Sequence, residues 1–244
     1  MSTCTPVQVG FERILVPASF ADAAQNAMGY AQAIARNYGS QIIVAHDDQA
    51  LRASTAQRES ADLIVLDARG RSGVSRLLFG SDAEDLYRTA TCPILVVGPA
   101  AEPAPADSMP WRPRDIVCAS NLDPDSVSAA AFASELAEEH GAALTVLHVE
   151  GTYEEKDREA CLAKFKRAFS EFDPGHREPS YIWRTLLSVH TVGSTIADFA
   201  SVRHSHLIVI GAQSAGSASS RFSTGIAPQI LAKAPCPVMI VPGK

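Results

Sequence analysis

The sequence predicts an α/β protein with two doubly wound parallel-sheet domains, four strands in the first and five in the second. Three observations support this: the chain contains an internal repeat, its strand-like segments are continuously apolar, and those segments alternate with helical patterns. At 244 residues the chain is long enough for two domains of about 100 residues each. Its composition, 46% hydrophobic and 20% charged, is typical of a protein with packed cores.

The first part of the repeat has an offset of 102 residues, from Ile14 to Ile116. Both positions open short apolar runs that suit buried parallel strands. The apolar positions 27, 30, 31 and 34 then recur at the spacing of one helix face, which predicts an amphipathic helix. Gly39 and Gly141 follow the two helices, where a C-terminal cap with positive φ is expected.

The second part has an offset of 144 residues, from Cys92-Pro93 to Cys236-Pro237. A block of 42 residues between His148 and Ala197 is therefore present in the second copy and missing from the first. The block predicts a charged helix over 154–172 and a strand over 180–187.

The predicted boundaries are a shortened domain at 1–98 (copy one), a proline- and alanine-rich linker at 99–113, and a complete domain at 114–244 (copy two). We expect each copy to have its own core, and copy one to expose a sheet edge.

Charge and cysteine content restrict the partners and the compartment. The formal net charge of −6 argues against a DNA or RNA partner, because nucleic-acid binding needs clustered Lys and Arg. The five cysteines show no CxxC spacing, and no apolar run is long enough to cross a bilayer. A cytoplasmic protein without a membrane partner is expected. The unpaired edge makes a homodimer the expected assembly.

A glycine-rich segment follows the apolar run Leu63-Ile64-Val65. It reads GRSGVSRLLFGS and places Gly70, Gly73, Gly80 and Ser81 beyond the end of a predicted strand. In open α/β sheets, ligands bind at the carboxyl ends of strands where the strand order reverses. Glycines there let main-chain N–H groups approach phosphate oxygens, so the segment indicates a phosphate-binding loop or else a tight turn that binds nothing.

Taken together, the Ile-Leu-Val-Pro opening, His46, the glycine segment and the closing Cys-Pro-Ile-Leu-Val-Val resemble the universal stress protein family. The resemblance covers 14–98 without the missing block, and 115–242. It implies a Rossmann-like sheet of the adenine nucleotide alpha hydrolase-like type, with an ATP-binding loop of the form G-x2-G-x(6 or 9)-G-S/T. Family members usually dimerise through their last strands, which implies that 94–97 and 238–241 pair within this chain.

The chain also departs from the family pattern. The aspartate that follows the first strand in ATP-binding members is Ser19 in copy one and Asn121 in copy two. In copy two, Ser214, Ser217 and Thr224 replace the three loop glycines, so copy one is favoured slightly as the nucleotide site. The candidate cofactor-binding residues are Gly70, Gly73, Gly80, Ser81, Ser19, Arg69, Asn121, Val149, Gly211, Ser223, Thr224 and Gly225.

Acidic residues near the copy-one loop bear on which ligand fits. Asp47, Asp67 and Asp82 would each repel a triphosphate by about 1 kcal/mol unless Mg²⁺ or nearby arginines compensate. The predicted cofactor is accordingly ATP with Mg²⁺, or AMP, or none.

Three functions remain open on the sequence: an adenine-nucleotide-binding stress-response protein, a dimeric scaffold without nucleotide, and a weak ATPase. No nucleophile, base and orienting group converge in one set of loops, which favours binding over catalysis. His204 and His206 are interpreted as surface residues and not as metal ligands, and His46 and His148 as hydrogen-bonded structure. Cys92 and Cys236 are interpreted as buried packing residues.

Overall fold

A computed structural model describes most of the chain. The described residues are 9–17, 24–46, 53–68, 86–87, 89–106, 109–122, 125–150, 159, 163, 167, 181–188, 190–212 and 226–243. Within these ranges, no helix combines the length and the hydropathy that crossing a bilayer requires.

In the part of copy one that the structure describes, there are four strands and two helices with defined bounds, and Leu86, Tyr87 and Thr89 are also helical. The strands are β1 (Arg13–Pro17), β2 (Gln41–Ala45), β3 (Leu63–Asp67) and β4 (Ile94–Val97), and the helices are α1 (Ala24–Tyr38) and α2 (Ala53–Arg58). The predicted apolar face of α1 is buried, with Ala31 and Ile34 fully inaccessible to solvent. Gly39 ends the helix with φ +68°, as its position after the apolar pattern predicted.

Within the described residues, copy two contributes five strands and three helices with defined bounds. The strands are β5 (Asp115–Ala119), β6 (Ala143–Glu150), β7 (Tyr181–Leu187), β8 (Leu207–Ala212) and β9 (Val238–Pro242). The helices are α3 (Asp125–His140), α4 (Val192–Arg203) and α5 (Ile226–Lys233). The strand predicted within the extra block is confirmed as β7. Most of the helix predicted before it lies outside the described residues, although Glu159, Ala163 and Arg167 are helical and exposed.

The nine strands that the structure describes form one sheet in the order β2-β1-β3-β4-β9-β8-β5-β6-β7. Neighbouring strands are parallel except at the centre, where β4 and β9 pair antiparallel with Leu95 opposite Met239. This pairing confirms the expectation that the last strands of the two copies pair within the chain. It also relates the two copies by an approximate two-fold axis that passes between β4 and β9.

The expectation that each copy has its own core is wrong. One core lies on the sheet face covered by α1 and α3, and the other on the face covered by α2, α4 and α5. Both cores contain residues from both copies, such as Leu95 and Met239 on the first face and Val96 and Val238 on the second. Side chains alternate between faces along each strand, so a continuous sheet gives each face one continuous core.

The shorter sheet of copy one ends at β2, as expected. Among the described strands β2 pairs only with β1, whereas its counterpart β6 lies between β5 and β7. Val44 of β2 is 38% exposed, while the corresponding Val146 of β6 is fully buried. The missing block therefore leaves an apolar strand at the edge of the sheet.

The described part of the linker is irregular in structure and packs on α1. The Trp111 N–H donates to Ala33 O at 3.2 Å, and the Tyr30 hydroxyl donates to Glu102 O at 3.2 Å. Trp111 and Ala101 are buried. A Cβ on Gly29 would lie 2.7 Å from the Ala104 Cβ, so this glycine permits the close approach of linker and helix.

Candidate functional site

The strand order reverses at two places in the sheet, where later strands of the same copy lie on both sides of one strand. β1 lies between β2 and β3, and β5 lies between β6 and β8. In such sheets the helices that follow neighbouring strands lie on opposite faces, which opens a crevice at the carboxyl ends of the strands. The candidate sites are therefore the β1/β3 crevice of copy one and the β5/β8 crevice of copy two. Because β4 and β9 are antiparallel, the two crevices open at opposite ends of the sheet.

The two crevices differ in how far the strands stay paired. In copy two, β5 and β8 are paired from Ile116↔Leu207 to Ala119↔Ile210. In copy one, β1 and β3 are paired only at Ile14↔Leu63 and Leu15↔Ile64. The position equivalent to Ala119 is Pro17, which has no backbone N–H to donate. The strands of copy one thus lose their pairing two residues before the crevice.

Few of the copy-one candidates can be located. Asp67 ends β3 with 8% of its surface exposed, and the next amide, Ala68 N–H, donates to Val97 O at 2.9 Å. The remaining copy-one candidates lie outside the described residues: Ser19, Arg69, Gly70, Gly73, Gly80 and Ser81. Asp47 and Asp82 also lie outside them.

Copy two brings three candidates to one rim. Asn121 follows β5 and is exposed, Gly211 lies near the end of β8, and Val149 lies near the end of β6 with 8% exposure. The rim is held together by the Ser120 N–H, which donates to Leu147 O at 2.9 Å. Ser223, Thr224 and Gly225 lie outside the described residues. The described part of the rim carries no Lys or Arg that could pair with phosphate.

Two hydrogen bonds lie within the described part of the loop after β5. The Leu122 N–H donates to Ser120 Oγ at 3.0 Å, and Ser120 Oγ and Ser126 Oγ share a hydrogen bond of 2.7 Å. Leu122 has φ +66°, a conformation that costs a non-glycine residue about 1 kcal/mol or more. Its side chain is only 6% exposed, so burial offsets that cost. One amide of this loop is therefore already bonded to protein.

Comparison with known proteins now identifies the chain. The model of the universal stress protein family matches residues 46–98 and 113–242, about three quarters of the sequence. The chain belongs to the universal stress protein family. The resemblance found in the sequence is thereby confirmed.

Curated relatives match this universal stress protein over part of its length. It is 48% identical over 42 residues to a universal stress protein of Methanocaldococcus jannaschii, and 32% identical over 106 residues to a Na⁺/H⁺ antiporter of Synechocystis. These matches cover 17% and 42% of this chain. The chain spans 25% of the archaeal protein and 14% of the antiporter.

Two solved structures share the fold over 95% of this chain. The crystal structure of a universal stress protein from Archaeoglobus fulgidus has a TM-score of 0.61 at 12% identity, covering 95% of this chain and 96% of its own. A Pseudomonas aeruginosa PAO1 protein of unknown function has a TM-score of 0.55 at 19% identity, covering 95% of this chain and 82% of its own. At these identities the likeness shows the α/β fold with its mostly parallel sheet.

Four histidines of this universal stress protein differ in their exposure and in their hydrogen bonding. His148 Nδ1 lies 2.9 Å from Ser120 O, which confirms the hydrogen-bonded role, whereas His46 is exposed. His204 and His206 are exposed, as expected, and His204 caps α4 with φ +54°. Among the residues that the structure describes, no three His, Cys, Asp or Glu side chains cluster as metal ligands would.

The cysteine interpretation is confirmed. Cys92 and Cys236 are buried, and burial raises the pKa of each thiol to about 12. Sequence reasoning missed Ser120, Leu122 and Ser126 as the residues that shape the copy-two rim. Their segment, SNLDPDS, contains residues that favour Asx and ST turns, but the sequence does not reveal the positive φ of Leu122.

Proposed function

We propose that this universal stress protein binds an adenine nucleotide, ATP or AMP, in copy one, and that copy two is the structural half of the pair. The observation that carries the proposal is the early end of pairing between β1 and β3. Only two residue pairs join these strands, against four at the equivalent place in copy two. In copy one the pairing of the two strands therefore ends before the glycine segment begins.

Pro17 is the physical reason for this early end of pairing. In a parallel ladder each strand contributes N–H donors to its neighbour, and proline contributes none. With β1 unable to donate at Pro17, the carboxyl end of β3 is not held against it. In sequence, β3 is followed directly by the segment that contains Gly70, Gly73, Gly80 and Ser81.

Charge determines how a nucleotide would be held there. The glycine amides and the Ser81 hydroxyl would donate to phosphate oxygens, and Arg69 would supply a positive charge. Asp67, which is nearly buried at the end of β3, would oppose a bare triphosphate. When bound with ATP, Mg²⁺ would neutralise phosphate charge. AMP has fewer charges and needs less compensation.

Copy two fits the nucleotide less well. The Leu122 amide is bonded to Ser120 Oγ, and the Ser120 amide is bonded to Leu147 O. The loop after β8 lacks glycine at the three positions that match copy one. Its contribution is instead the complete five-stranded half-sheet, against which β4 packs through β9.

A matched pair of substitutions tests the proposal. We expect isothermal titration calorimetry with ATP and with AMP to show one site per chain in the wild type. Gly70→Asp adds a side chain and a negative charge to the copy-one loop, so it should weaken binding by tenfold or more, about 1.4 kcal/mol. Ser214→Asp makes the same change at the equivalent copy-two position and should leave binding unchanged.

The opposite pattern would assign the site to copy two. No heat with either nucleotide at millimolar concentration would refute nucleotide binding altogether. A bound ligand must also raise the melting temperature of the wild type, because it stabilises only the native state.

The second candidate is a scaffold that binds no nucleotide and acts through protein partners. The loop after β5 favours it, since the Leu122 amide of copy two is already bonded to protein. For a scaffold we expect an unchanged melting temperature with either nucleotide and specific protein partners whose binding does not depend on nucleotide.

A further inference from the structure

The amino ends of β1 and β5 are joined to the sheet by the same backbone contacts. In copy one, the Asp62 N–H donates to Arg13 O at 3.0 Å. In copy two, the His206 N–H donates to Asp115 O at 2.8 Å, and these two residues occupy the same repeat positions. The residue two positions before Asp62 and the one two positions before His206 both have positive φ, +51° and +54°. The junction between first strand and inner neighbour strand therefore has one backbone geometry in both copies.

Charged side chains at this junction have opposite signs in the two copies. The offsets of the repeat give three inverted pairs: Glu12 and Arg114, Arg13 and Asp115, and Glu59 and Arg203. A fourth position has a carboxylate, Asp62, in copy one and an imidazole, His206, in copy two. The same backbone frame thus carries two different arrangements of charge.

In copy two the strand residue is the anion. Arg203 Nη2 lies 2.5 Å from Asp115 Oδ2, and the Ser205 hydroxyl donates to Asp115 Oδ1 at 2.7 Å. The Asp115 side chain is only 15% exposed. A positive charge in its place would lie close to the Arg203 guanidinium with little screening by solvent.

In copy one the strand residue is the cation. Arg13 Nε donates to Glu59 O at 2.7 Å, and the Glu59 carboxylate pairs with Arg58. The Asp62 carboxylate accepts hydrogen bonds from the Glu12 N–H at 2.7 Å and from the Arg13 N–H at 3.1 Å. An aspartate at position 13 would therefore place a second carboxylate beside that of Asp62.

We propose that this charge inversion keeps each first strand in its own half of the sheet, β1 in copy one and β5 in copy two. Two copies of one fold in a single chain can exchange equivalent elements, and such exchange is a characteristic failure of repeat proteins. In copy two, β1 would bring Arg13 next to Arg203. In copy one, β5 would bring Asp115 next to Asp62. Like charges oppose both exchanges, whereas the native place of β5 joins opposite charges.

Refolding of the intact chain from urea tests the proposal. The triple variant Arg114→Glu, Asp115→Arg and Arg203→Glu gives copy two the charge signs of copy one, and it keeps opposite charges together at 115 and 203. We expect its urea midpoint to stay near that of the wild type. After refolding at micromolar concentration, the fraction in soluble exchanged oligomers should rise about tenfold. Size-exclusion chromatography with light scattering measures this fraction, and circular dichroism distinguishes folded oligomers from aggregates.

A variant with both copies inverted is the matched control. It adds Glu12→Arg, Arg13→Asp, Glu59→Arg and Asp62→His to the triple variant. The two copies then differ in charge again, so the oligomer fraction should return to that of the wild type. A triple variant that refolds like the wild type, or an inverted variant that folds but still forms oligomers as the triple variant does, would overturn the proposal.

A milder pair of substitutions provides a test that does not depend on charge reversal. Arg13→Gln with Asp115→Asn removes the charge from both strands and should raise the oligomer fraction above that of the wild type. Arg184→Gln with Asp198→Asn removes the same two charges at exposed positions and should leave the fraction unchanged. Equal fractions in the two double variants would refute the sorting role. None of these results depends on whether nucleotide binds.

Discussion

At the residue scale, an aromatic cluster joins the C-terminal ends of α1 and α3, and two of its members occupy equivalent positions of the repeat. Tyr38 and His140 are equivalent residues of the two copies, and the Tyr38 hydroxyl lies 3.1 Å from His140 Nε2. Trp111 and Tyr38 both present T-shaped contacts to the imidazole ring. Burial raises the pKa of the Tyr38 hydroxyl, and the Glu139 carboxylate raises it further, so the hydroxyl stays protonated. The cluster joins both copies and the linker.

The cluster predicts a pH dependence of stability. Burial lowers the pKa of His140 below 6.5; Arg112 lowers it further and Glu139 partly opposes the change. The unfolded chain therefore takes up a proton near pH 6.5 that the folded chain does not, and the free energy of unfolding falls as the pH falls through that value. His140→Gln should make the free energy of unfolding less dependent on pH between about 7.5 and 5.5.

Urea unfolding at a series of pH values measures this effect. His206→Gln, a change at an exposed histidine, is the control and should keep the wild-type dependence. A His140→Gln variant with the same pH dependence as the wild type would contradict the assignment.

At the scale of elements, close contacts at two glycines fix how α5 packs against β4 of copy one and against α4 of copy two. Gly98 follows β4, and a Cβ there would lie 2.5 Å from the Leu231 carbonyl oxygen in α5. Gly193 in α4 approaches α5 as closely, with the Gln229 Cβ at 2.5 Å. Both contacts involve α5, so this helix is the element on which β4 and α4 converge. The sequence gives the positions of these glycines but does not show which atoms they approach.

Gly98→Ala tests this packing. The added methyl group meets a backbone carbonyl that cannot rotate away, so the substitution should lower the free energy of unfolding by about 1–3 kcal/mol. Gly39→Asn is the control: no atom lies within 4 Å of a Cβ there, and asparagine tolerates positive φ, so the loss should stay below about 1 kcal/mol. Equal losses in chemical denaturation would show that the close contact does not matter.

At the scale of the whole molecule, the two copies share their hydrophobic cores. Met239 of β9 is fully buried opposite Leu95 of β4, and the cores on both faces continue across this junction. Trp111 is 3% exposed and holds the linker against α1. Neither copy can unfold without exposing apolar surface of the other.

We therefore expect one cooperative unfolding transition. In a Trp183→Phe background, the fluorescence of Trp111 and the far-UV circular dichroism should give the same urea midpoint. Met239→Ala should lower the free energy of unfolding by about 2–5 kcal/mol and shift both signals together. Two separated transitions, or a shift in only one signal, would show that the copies unfold independently.

Several features follow directly from residues that the chain repeats. The apolar spacing at 27, 30, 31 and 34 predicted α1 and its buried face, and Gly39 and Gly141 predicted the two helix ends. The apolar runs predicted the strands, and the matching Cys-Pro segments predicted buried thiols. The prediction of separate cores failed because alternation along a strand indicates two faces but not which strands continue them.

The candidate site was predicted only in part for the same reason. The repeat located both crevices and placed Asn121, Gly211 and Val149 at the copy-two rim. It did not show that Leu122 and Ser120 close that rim, because a positive φ at leucine and a hydroxyl bonded to a nearby amide depend on packing. Nor did Pro17 predict how early β1 and β3 separate, since the effect depends on which strand is its neighbour.

By itself the sequence determined the duplication, the strand and helix pattern, the family and the missing block, because each depends on short-range spacing and on comparing one half of the chain with the other. The tertiary structure alone decided that the copies form one sheet with shared cores, that the linker packs on α1, and that β2 lies at the edge of the described strands. These properties depend on contacts between residues far apart in the chain, where strand pairing and close packing select one arrangement among several that the same local pattern permits.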